Sequence, residues 1–220
     1  MLDFAQARRM MVDSQLRTFD VSDIPLLDAM DDIPRERFVP PGREGLAYID
    51  RDILVSDGPE RRYMLAPMVL ARMIQALGIE PGMRVLDIAT GRGYSAAVLA
   101  RLGATVTALE ASENLAEAAR QCLSAAGVGG VRVVSGHLSQ GYPPNAPYDA
   151  ILINGAVEVR PETLLQQLAE SGRLICVEGR GRAARVMLYV RASQAFGVRN
   201  VFDAAAPVLP EFKAERGFVF

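Results

Sequence analysis

The sequence predicts an α/β domain built on a mainly parallel sheet with helices on both faces. Between residues 83 and 180, near-continuous apolar runs alternate with helical patterns, as is typical of buried parallel strands joined by crossover helices. The predicted strands are 83–88, 105–109, 131–134, 149–153 and 173–177. The predicted helices are 68–77, 94–101, 113–126 and 161–169. Two later apolar segments, 184–192 and 196–202, predict a closing antiparallel hairpin.

The N-terminal segment predicts two helices ahead of this sheet. Apolar residues at helical spacing over 3–17 indicate the first helix, with Asp3 as its N-cap. The second has Ser22 as N-cap, Pro25 in its first turn and Pro34 beyond its end. Residues 40–59 are predicted to be loop and short extended structure. We therefore divide the chain into a substrate-side helical and loop segment, 1–66, and a Rossmann-like domain, 67–220.

Composition excludes several classes of protein. With 220 residues, half of them hydrophobic, the chain can form one sizeable α/β domain with a full core and a smaller appendage. The net charge of -2 carries no signature of nucleic-acid binding. Cys122 and Cys176 lie in apolar patterns and are interpreted as small buried hydrophobes, so neither a disulfide nor a metal site is expected. No segment approaches the ~20 apolar residues of a membrane helix, and we expect a soluble, cytoplasmic protein.

The segment VLDIATGRGY, residues 85–94, carries the clearest functional signal. A buried strand runs into a turn containing Gly91 and Gly93 and then into a helical pattern, which is how nucleotide-like cofactors are commonly held. The next predicted strand ends in Glu110, where a carboxylate can accept hydrogen bonds from ribose hydroxyls. A ribose-bearing cofactor is therefore predicted.

Two kinds of cofactor fit this pattern. Gly91, Gly93 and Ala96 also satisfy the dinucleotide fingerprint G-x-G-x-x-G/A. Asp87, at the end of the preceding strand, separates the two alternatives, because a carboxylate there repels a pyrophosphate but suits a cationic ligand. S-adenosylmethionine carries an ammonium and a sulfonium and no phosphate, so charge matching favours it over a nicotinamide or flavin dinucleotide.

Three longer segments resemble the protein-L-isoaspartate (D-aspartate) O-methyltransferase family. They are LLDAMDDIPRERFVPP at 26–41, LAYIDRDILV at 46–55 and APYDAILINGAVEVRPETLLQQLAESGRLICVEG at 146–179. The resemblance implies a class I S-adenosylmethionine-dependent methyltransferase fold, with a seven-stranded, mostly parallel sheet and an antiparallel strand near the edge. It also implies S-adenosylmethionine as cofactor and a protein or peptide carboxylate as substrate.

The resemblance also implies a set of cofactor-binding residues. Asp87 and the turn residues line the methionine end, Glu110 takes the ribose hydroxyls and Ala111 lies beside the adenine. The family's adenine-binding acidic residue is replaced here by His137 and Leu138, which are expected to contact the base in its place. The full predicted set is Asp87, Ala89, Thr90, Gly91, Gly93, Glu110, Ala111, His137, Leu138 and Asn154.

The substrate side departs from the family pattern. The family carries Thr and Ser hydroxyls at the methyl-transfer site, whereas alignment on Pro67 puts Tyr63 and Leu65 at those positions. We therefore assign no catalytic residue and expect weak activity on isoaspartate. Arg61 and Arg62, in the same altered loop, either clamp a substrate carboxylate or are solvated.

Two functions remain open from the sequence. The first is an S-adenosylmethionine-dependent carboxyl O-methyltransferase of the protein-repair type, with a shifted choice of substrate. The second is a non-catalytic or regulatory protein that keeps the methyltransferase fold and its cofactor. The intact turn and Glu110 favour a retained cofactor, while Leu65 favours lost repair activity.

Overall fold

A seven-stranded sheet forms the centre of the molecule in a computed structural model, which describes residues 3–56 and 61–214. Its strands are β3 (Arg84–Ile88), β4 (Thr105–Glu110), β5 (Val131–Ser135), β6 (Tyr148–Val157), β7 (Leu168–Glu178), β8 (Arg185–Ala192) and β9 (Ala195–Asp203). Their order is β5-β4-β3-β6-β7-β8-β9. The pairs from β5 to β7 are parallel, while β8 is antiparallel to both of its neighbours. The predicted fold class and the closing hairpin are confirmed.

The helices lie before and between these strands. They are α1 (Phe4–Met11), α2 (Ile24–Asp32), α3 (Pro67–Leu77), α4 (Tyr94–Arg101), α5 (Glu113–Ala125) and α6 (Glu162–Leu165). A short antiparallel pair, β1 (Ile53–Leu54) and β2 (Tyr63–Met64), forms a separate two-stranded sheet. We call residues 53–56 and 61–64 the β1–β2 hairpin; residues 57–60, including that part of the predicted loop 40–59, lie outside the described part of the chain.

Two predicted helix boundaries are wrong. The helix predicted over 161–169 ends at Leu165, because β7 begins at Leu168. The leucines of this segment are fully buried, and such a short apolar run does not distinguish a helix from a buried strand. The N-cap of α2 is Asp23, not Ser22, since the Asp23 carboxylate accepts a hydrogen bond from the Leu26 amide at 3.1 Å.

The N-terminal helices share the core of the sheet domain. One apolar cluster contains Met11 and Leu16 from the N-terminal segment together with Ile74 of α3 and Val85 of β3. Asp3 caps α1, as predicted, by accepting from the Gln6 amide at 3.1 Å, and the chain continues from α1 into a π-helical turn, Val12–Leu16. This packing holds the N-terminal segment firmly against the sheet.

Burial of the two cysteines agrees with their interpretation as small hydrophobes. Cys122 lies on α5 and Cys176 on β7, and both side chains are buried. Among residues 3–56 and 61–214, no helix has the length and apolar character needed to cross a membrane.

The sheet order creates a switch point between β3 and β6. From β3 the chain builds outward through β4 and β5, and then returns to the other side of β3 as β6. Crevices at the carboxyl ends of such strands are the usual ligand sites of open α/β sheets. β2 packs against β6, which brings the β1–β2 hairpin to this edge.

Candidate functional site

Asp87 lies at the carboxyl end of β3 and is completely buried. Its carboxylate accepts hydrogen bonds from Ser95 Oγ at 2.8 Å and from Asn154 Nδ2 at 2.7 Å. Burial raises the pKa of Asp87 to about 6, although hydrogen bonds from Thr90, Ser95 and Asn154 lower it. A carboxylate held in this way carries a charge near neutral pH that a cationic group can neutralise.

The turn after β3 has a backbone path that few residues adopt. Ala89, Gly91 and Gly93 have φ values of +58°, +60° and +93°, in the region that glycine enters without a Cβ clash. A Cβ on Gly91 would lie 3.1 Å from Val55 Cγ2 and 3.5 Å from Arg62 Cγ. The β1–β2 hairpin therefore packs directly on this turn.

Glu110 ends β4 and is also completely buried. Its carboxylate accepts hydrogen bonds from the Gly91 amide at 2.9 Å and from the Ala111 amide at 2.8 Å. The predicted glycine turn and the predicted ribose-binding carboxylate are thus in direct contact, and the main chain orients that carboxylate toward the turn.

Arg62 forms a buried ion pair with Glu110. Arg62 Nε lies 3.1 and 3.0 Å from the two carboxylate oxygens, and Nη2 lies 2.8 Å from Oε1. Arg62 is 1% exposed, so the interpretation of this arginine as solvated is wrong, whereas Arg61 is exposed. The guanidinium already binds a carboxylate, and that carboxylate belongs to the protein.

Asn154 links two strands at the site. It lies within β6, where the pairing with β7 shifts register between Leu152 and Ala156. Besides Asp87, its amide nitrogen donates to the Ile88 carbonyl at 3.0 Å. Asn154 therefore supports the end of β3 and does not belong to a turn.

Tyr63 and Leu65, the positions of the expected hydroxyls, line a small cavity beside the turn. The cavity has a volume of about 10 Å³, room for about one water molecule. Its lining residues are Phe38, Tyr63, Met64, Leu65, Leu70, Ala89, Thr90, Arg92, Tyr94, Ser95 and Asn154. The predicted site residues Ala89, Thr90 and Asn154 thus meet the altered substrate-side segment here.

Arg35 is a positioning residue that the sequence did not indicate. It is completely buried and donates to the Ala47 carbonyl at 2.8 Å and to the Leu65 carbonyl at 2.6 Å. Its guanidinium carbon lies 4.6 Å from the ring centroid of Tyr94, and burial lowers the pKa of Arg35. Arg35 thereby fixes the backbone at Leu65; a basic residue between Pro34 and Glu36 gave no signal of burial.

The predicted adenine-side residues have different environments. The His137 side chain is 86% exposed, with Nδ1 3.9 Å from a Glu211 carboxylate oxygen. Leu138 is completely buried in a second apolar cluster with Leu86 and Ile88. Ala111 is partly exposed. Leu138 therefore packs in the core, while His137 faces solvent.

The two buried carboxylates suit a ligand with a cationic end and hydroxyls. Asp87 and Glu110 end neighbouring strands of the sheet and flank one glycine turn. This pair of acceptor groups matches an amino-acid ammonium at one end and ribose hydroxyls at the other, provided that Glu110 is accessible. At Glu110 the guanidinium of Arg62 occupies the carboxylate.

Comparisons with known proteins agree on one family. The family model described as protein-L-isoaspartate(D-aspartate) O-methyltransferase matches residues 7–205. The chain is 42% identical over 172 residues to a protein-L-isoaspartate O-methyltransferase from Methanoculleus marisnigri, covering 78% of this chain and 77% of that one. It is 38% identical to protein-L-isoaspartate O-methyltransferase 1 from Rhodopseudomonas palustris, covering 97% of this chain and 91% of the relative.

Solved structures show the same fold. A protein-L-isoaspartate O-methyltransferase superposes with a TM-score of 0.81 at 28% identity, covering 91% of this chain and 65% of that one. A beta-aspartate methyltransferase from Plasmodium falciparum, in complex with S-adenosyl-L-homocysteine, superposes with a TM-score of 0.76 at 18% identity, covering 96% of this chain and 100% of the other. This chain therefore spans about two thirds of the length of the first of these solved chains.

Proposed function

Because this chain belongs to the protein-L-isoaspartate(D-aspartate) O-methyltransferase family, we propose that it methylates a carboxylate of a protein or peptide, with S-adenosylmethionine as methyl donor. The observation that carries this proposal is the placement of Asp87 and Glu110 around one glycine turn at the carboxyl edge of the sheet. When bound, the cofactor supplies an electrophilic methyl group on a sulfonium. The products are a methyl ester and S-adenosylhomocysteine.

Different residues of the chain bind different parts of the cofactor. Asp87 pairs with the ammonium of the methionine end, and the turn allows close approach of the main chain. Glu110 accepts from the ribose hydroxyls, and Ala111 lies next to it on the adenine side. The proposed set remains Asp87, Ala89, Thr90, Gly91, Gly93, Glu110, Ala111, His137, Leu138 and Asn154.

Within this set we assign distinct roles. Leu138 acts from the core beneath the adenine side, because its side chain is completely buried. His137 is exposed and can reach the base only from the solvent side. Asn154 acts by holding the Asp87 carboxylate in place.

The acceptor needs placement more than proton chemistry. A carboxylate has a free pKa of ~4 and is already ionised at neutral pH, so no general base is required. Rate acceleration then depends on in-line orientation of the carboxylate toward the methyl group. Leu65 provides no hydroxyl for this orientation, so we propose that the preferred acceptor differs from a standard isoaspartyl peptide.

Calorimetric titration with S-adenosylmethionine tests the cofactor part of this proposal. We expect saturable binding at one site, weakened by about 1 to 3 kcal/mol in Glu110→Ala through loss of hydrogen bonds to a charged acceptor. Absence of binding by the unmutated protein would exclude both the enzyme and the cofactor-retaining regulatory protein. Binding without methyl transfer to any carboxylate would favour the regulatory alternative.

A further inference from the structure

We propose that Arg62 acts as a latch on the cofactor subsite: it occupies the Glu110 carboxylate, and the cofactor ribose must displace it. This inference rests on the proposed function, because it concerns the same carboxylate. It adds a determinant of cofactor affinity, located in the β1–β2 hairpin outside the sheet that forms the site.

The hydrogen-bonding capacity of Glu110 carries the inference. Oε1 is approached by Arg62 Nε, Arg62 Nη2 and the Ala111 amide, and Oε2 by Arg62 Nε and the Gly91 amide. An ionised carboxylate offers about four acceptor positions in total. Two ribose hydroxyls therefore cannot donate to Glu110 while Arg62 keeps its bidentate contact. The two amides belong to the main chain, one in the glycine turn and one just after β4, and can remain.

Packing on the turn gives the second observation. Val55 and Arg62 pack against Gly91 on the side where another residue would carry its Cβ. A Cβ built on Gly91 would be in contact with both side chains. This is the side of the turn where the backbone has no side chain of its own. The hairpin thus covers the surface against which a ligand would have to lie.

Hydrogen bonds of its main chain tie Arg62 to the residues that follow β1. Its amide donates to Ser56 Oγ at 2.8 Å, and its carbonyl accepts from the Val55 amide at 2.8 Å. The strands β1 and β2 have two residues each and are not part of the seven-stranded sheet. A two-stranded pair of this size has little stability of its own, so it offers little resistance to displacement of Arg62, which exposes the guanidinium to solvent.

A titration series with S-adenosylhomocysteine tests the latch without any measurement of activity. Arg62→Met removes the guanidinium and keeps an unbranched apolar stem. Arg61→Met is the matched control, because Arg61 is the exposed neighbour in the same hairpin. The latch predicts that Arg62→Met binds at least tenfold more tightly than the unmutated protein, while Arg61→Met stays within twofold.

The outcomes separate the latch from the proposed function. If the unmutated protein binds S-adenosylhomocysteine and Arg62→Met binds equally or less tightly, the latch is overturned while the cofactor site stands. If neither protein binds at millimolar ligand, both are overturned. Arg62→Met leaves Glu110 buried without its cation, so a second measurement uses the unmutated protein.

That measurement is arginine modification by phenylglyoxal, read by peptide mass spectrometry. Without ligand, buried Arg62 should be protected and exposed Arg61 modified. With saturating S-adenosylhomocysteine, the latch predicts that Arg62 becomes reactive at a rate within tenfold of that of Arg61. Continued protection of Arg62 at saturation, with Arg61 unchanged, would show that Arg62 does not leave the site and would overturn the proposal.

Discussion

Asn154 Nδ2 donates a 2.7 Å hydrogen bond to Asp87 Oδ1 and so ties β6 to the carboxyl end of β3. The same nitrogen also donates to the Ile88 carbonyl. Both side chains are buried, and this contact bridges the switch point of the sheet. It holds a carboxylate that burial would otherwise leave costly to ionise.

Replacement of Asn154 by alanine should destabilise the protein most where Asp87 is charged. A hydrogen bond to a charged group contributes about 1.5 to 3 kcal/mol, so we expect a loss of that size in the free energy of unfolding at pH 7.5 and a smaller loss at pH 4.5. Urea unfolding at the two pH values measures it. Asn200→Ala, at an exposed position, is the control and should change stability by under about 0.5 kcal/mol. Equal losses for Asn154→Ala at both pH values would show that Asn154 does not stabilise the charged form of Asp87.

Asp87 should also make stability rise as the pH falls toward 4. Its folded-state pKa of about 6 lies above the ordinary value of 3.8, so the folded protein binds a proton first. The stability cost of this group is fully present above pH 6, is relieved as the pH falls through 6, and is absent below the unfolded-state pKa. The difference amounts to about 3 kcal/mol. The free energy of unfolding of Asp87→Asn, relative to that of the unmutated protein, should therefore be higher at pH 7.5 than at pH 4.5. If urea unfolding gives the same difference between the two proteins at both pH values, this prediction is refuted.

Affinity for S-adenosylmethionine should fall as the pH is lowered from 7.5 to 5. Protonation of Asp87 with a pKa of about 6 removes the charge that faces the ligand ammonium. We expect the fall to persist in His137→Ala and to disappear in Asp87→Asn, which should bind weakly at every pH. Calorimetry across this range distinguishes the two groups. A profile that His137→Ala flattens would contradict the assignment of the pH dependence to Asp87.

Removal of the Arg35 guanidinium should cost far more stability than removal of its neighbour in the same turn. Arg35→Met leaves the buried carbonyls of Ala47 and Leu65 without their donor, at about 1 to 3 kcal/mol each. Arg37 donates to the Ala125 carbonyl at an exposed position, and Arg37→Met should cost under about 1 kcal/mol. Thermal and urea unfolding of both variants provide the comparison, and equal losses would mean that Arg35 is not a structural anchor.

Much of the sheet could be predicted from the sequence because its strands are buried on both faces. Such strands appear as continuous apolar runs, and the glycine turn and Glu110 follow from their spacing. The prediction of one helix over 161–169 was wrong because the leucines of this segment satisfy a helical and a strand pattern equally well. Boundaries of short apolar elements depend on pairing with distant strands, here Tyr148 with Leu168.

The occupant of Glu110 could not be predicted. Arg62 and Glu110 are 48 residues apart, and an arginine in a polar loop has the same pattern whether it is solvated or buried. The burial of Arg35 was equally invisible. Arg62 and Arg35 are both buried through contacts with residues distant in the sequence, and such contacts of charged side chains produce no local periodicity.

Transfer of a labelled methyl group from S-adenosylmethionine to carboxylate peptides tests the central claim most directly. We expect label that mild base releases as methanol, as an ester requires, with an isoaspartyl peptide at least 10²-fold slower than expected of a well-oriented acceptor. Leu65→Ser should raise the rate on that peptide and Leu65→Ala should not. If the cofactor binds but no base-labile label forms on carboxylate peptides, on isoaspartyl peptides or on an aged protein mixture, carboxyl methylation by this protein is contradicted.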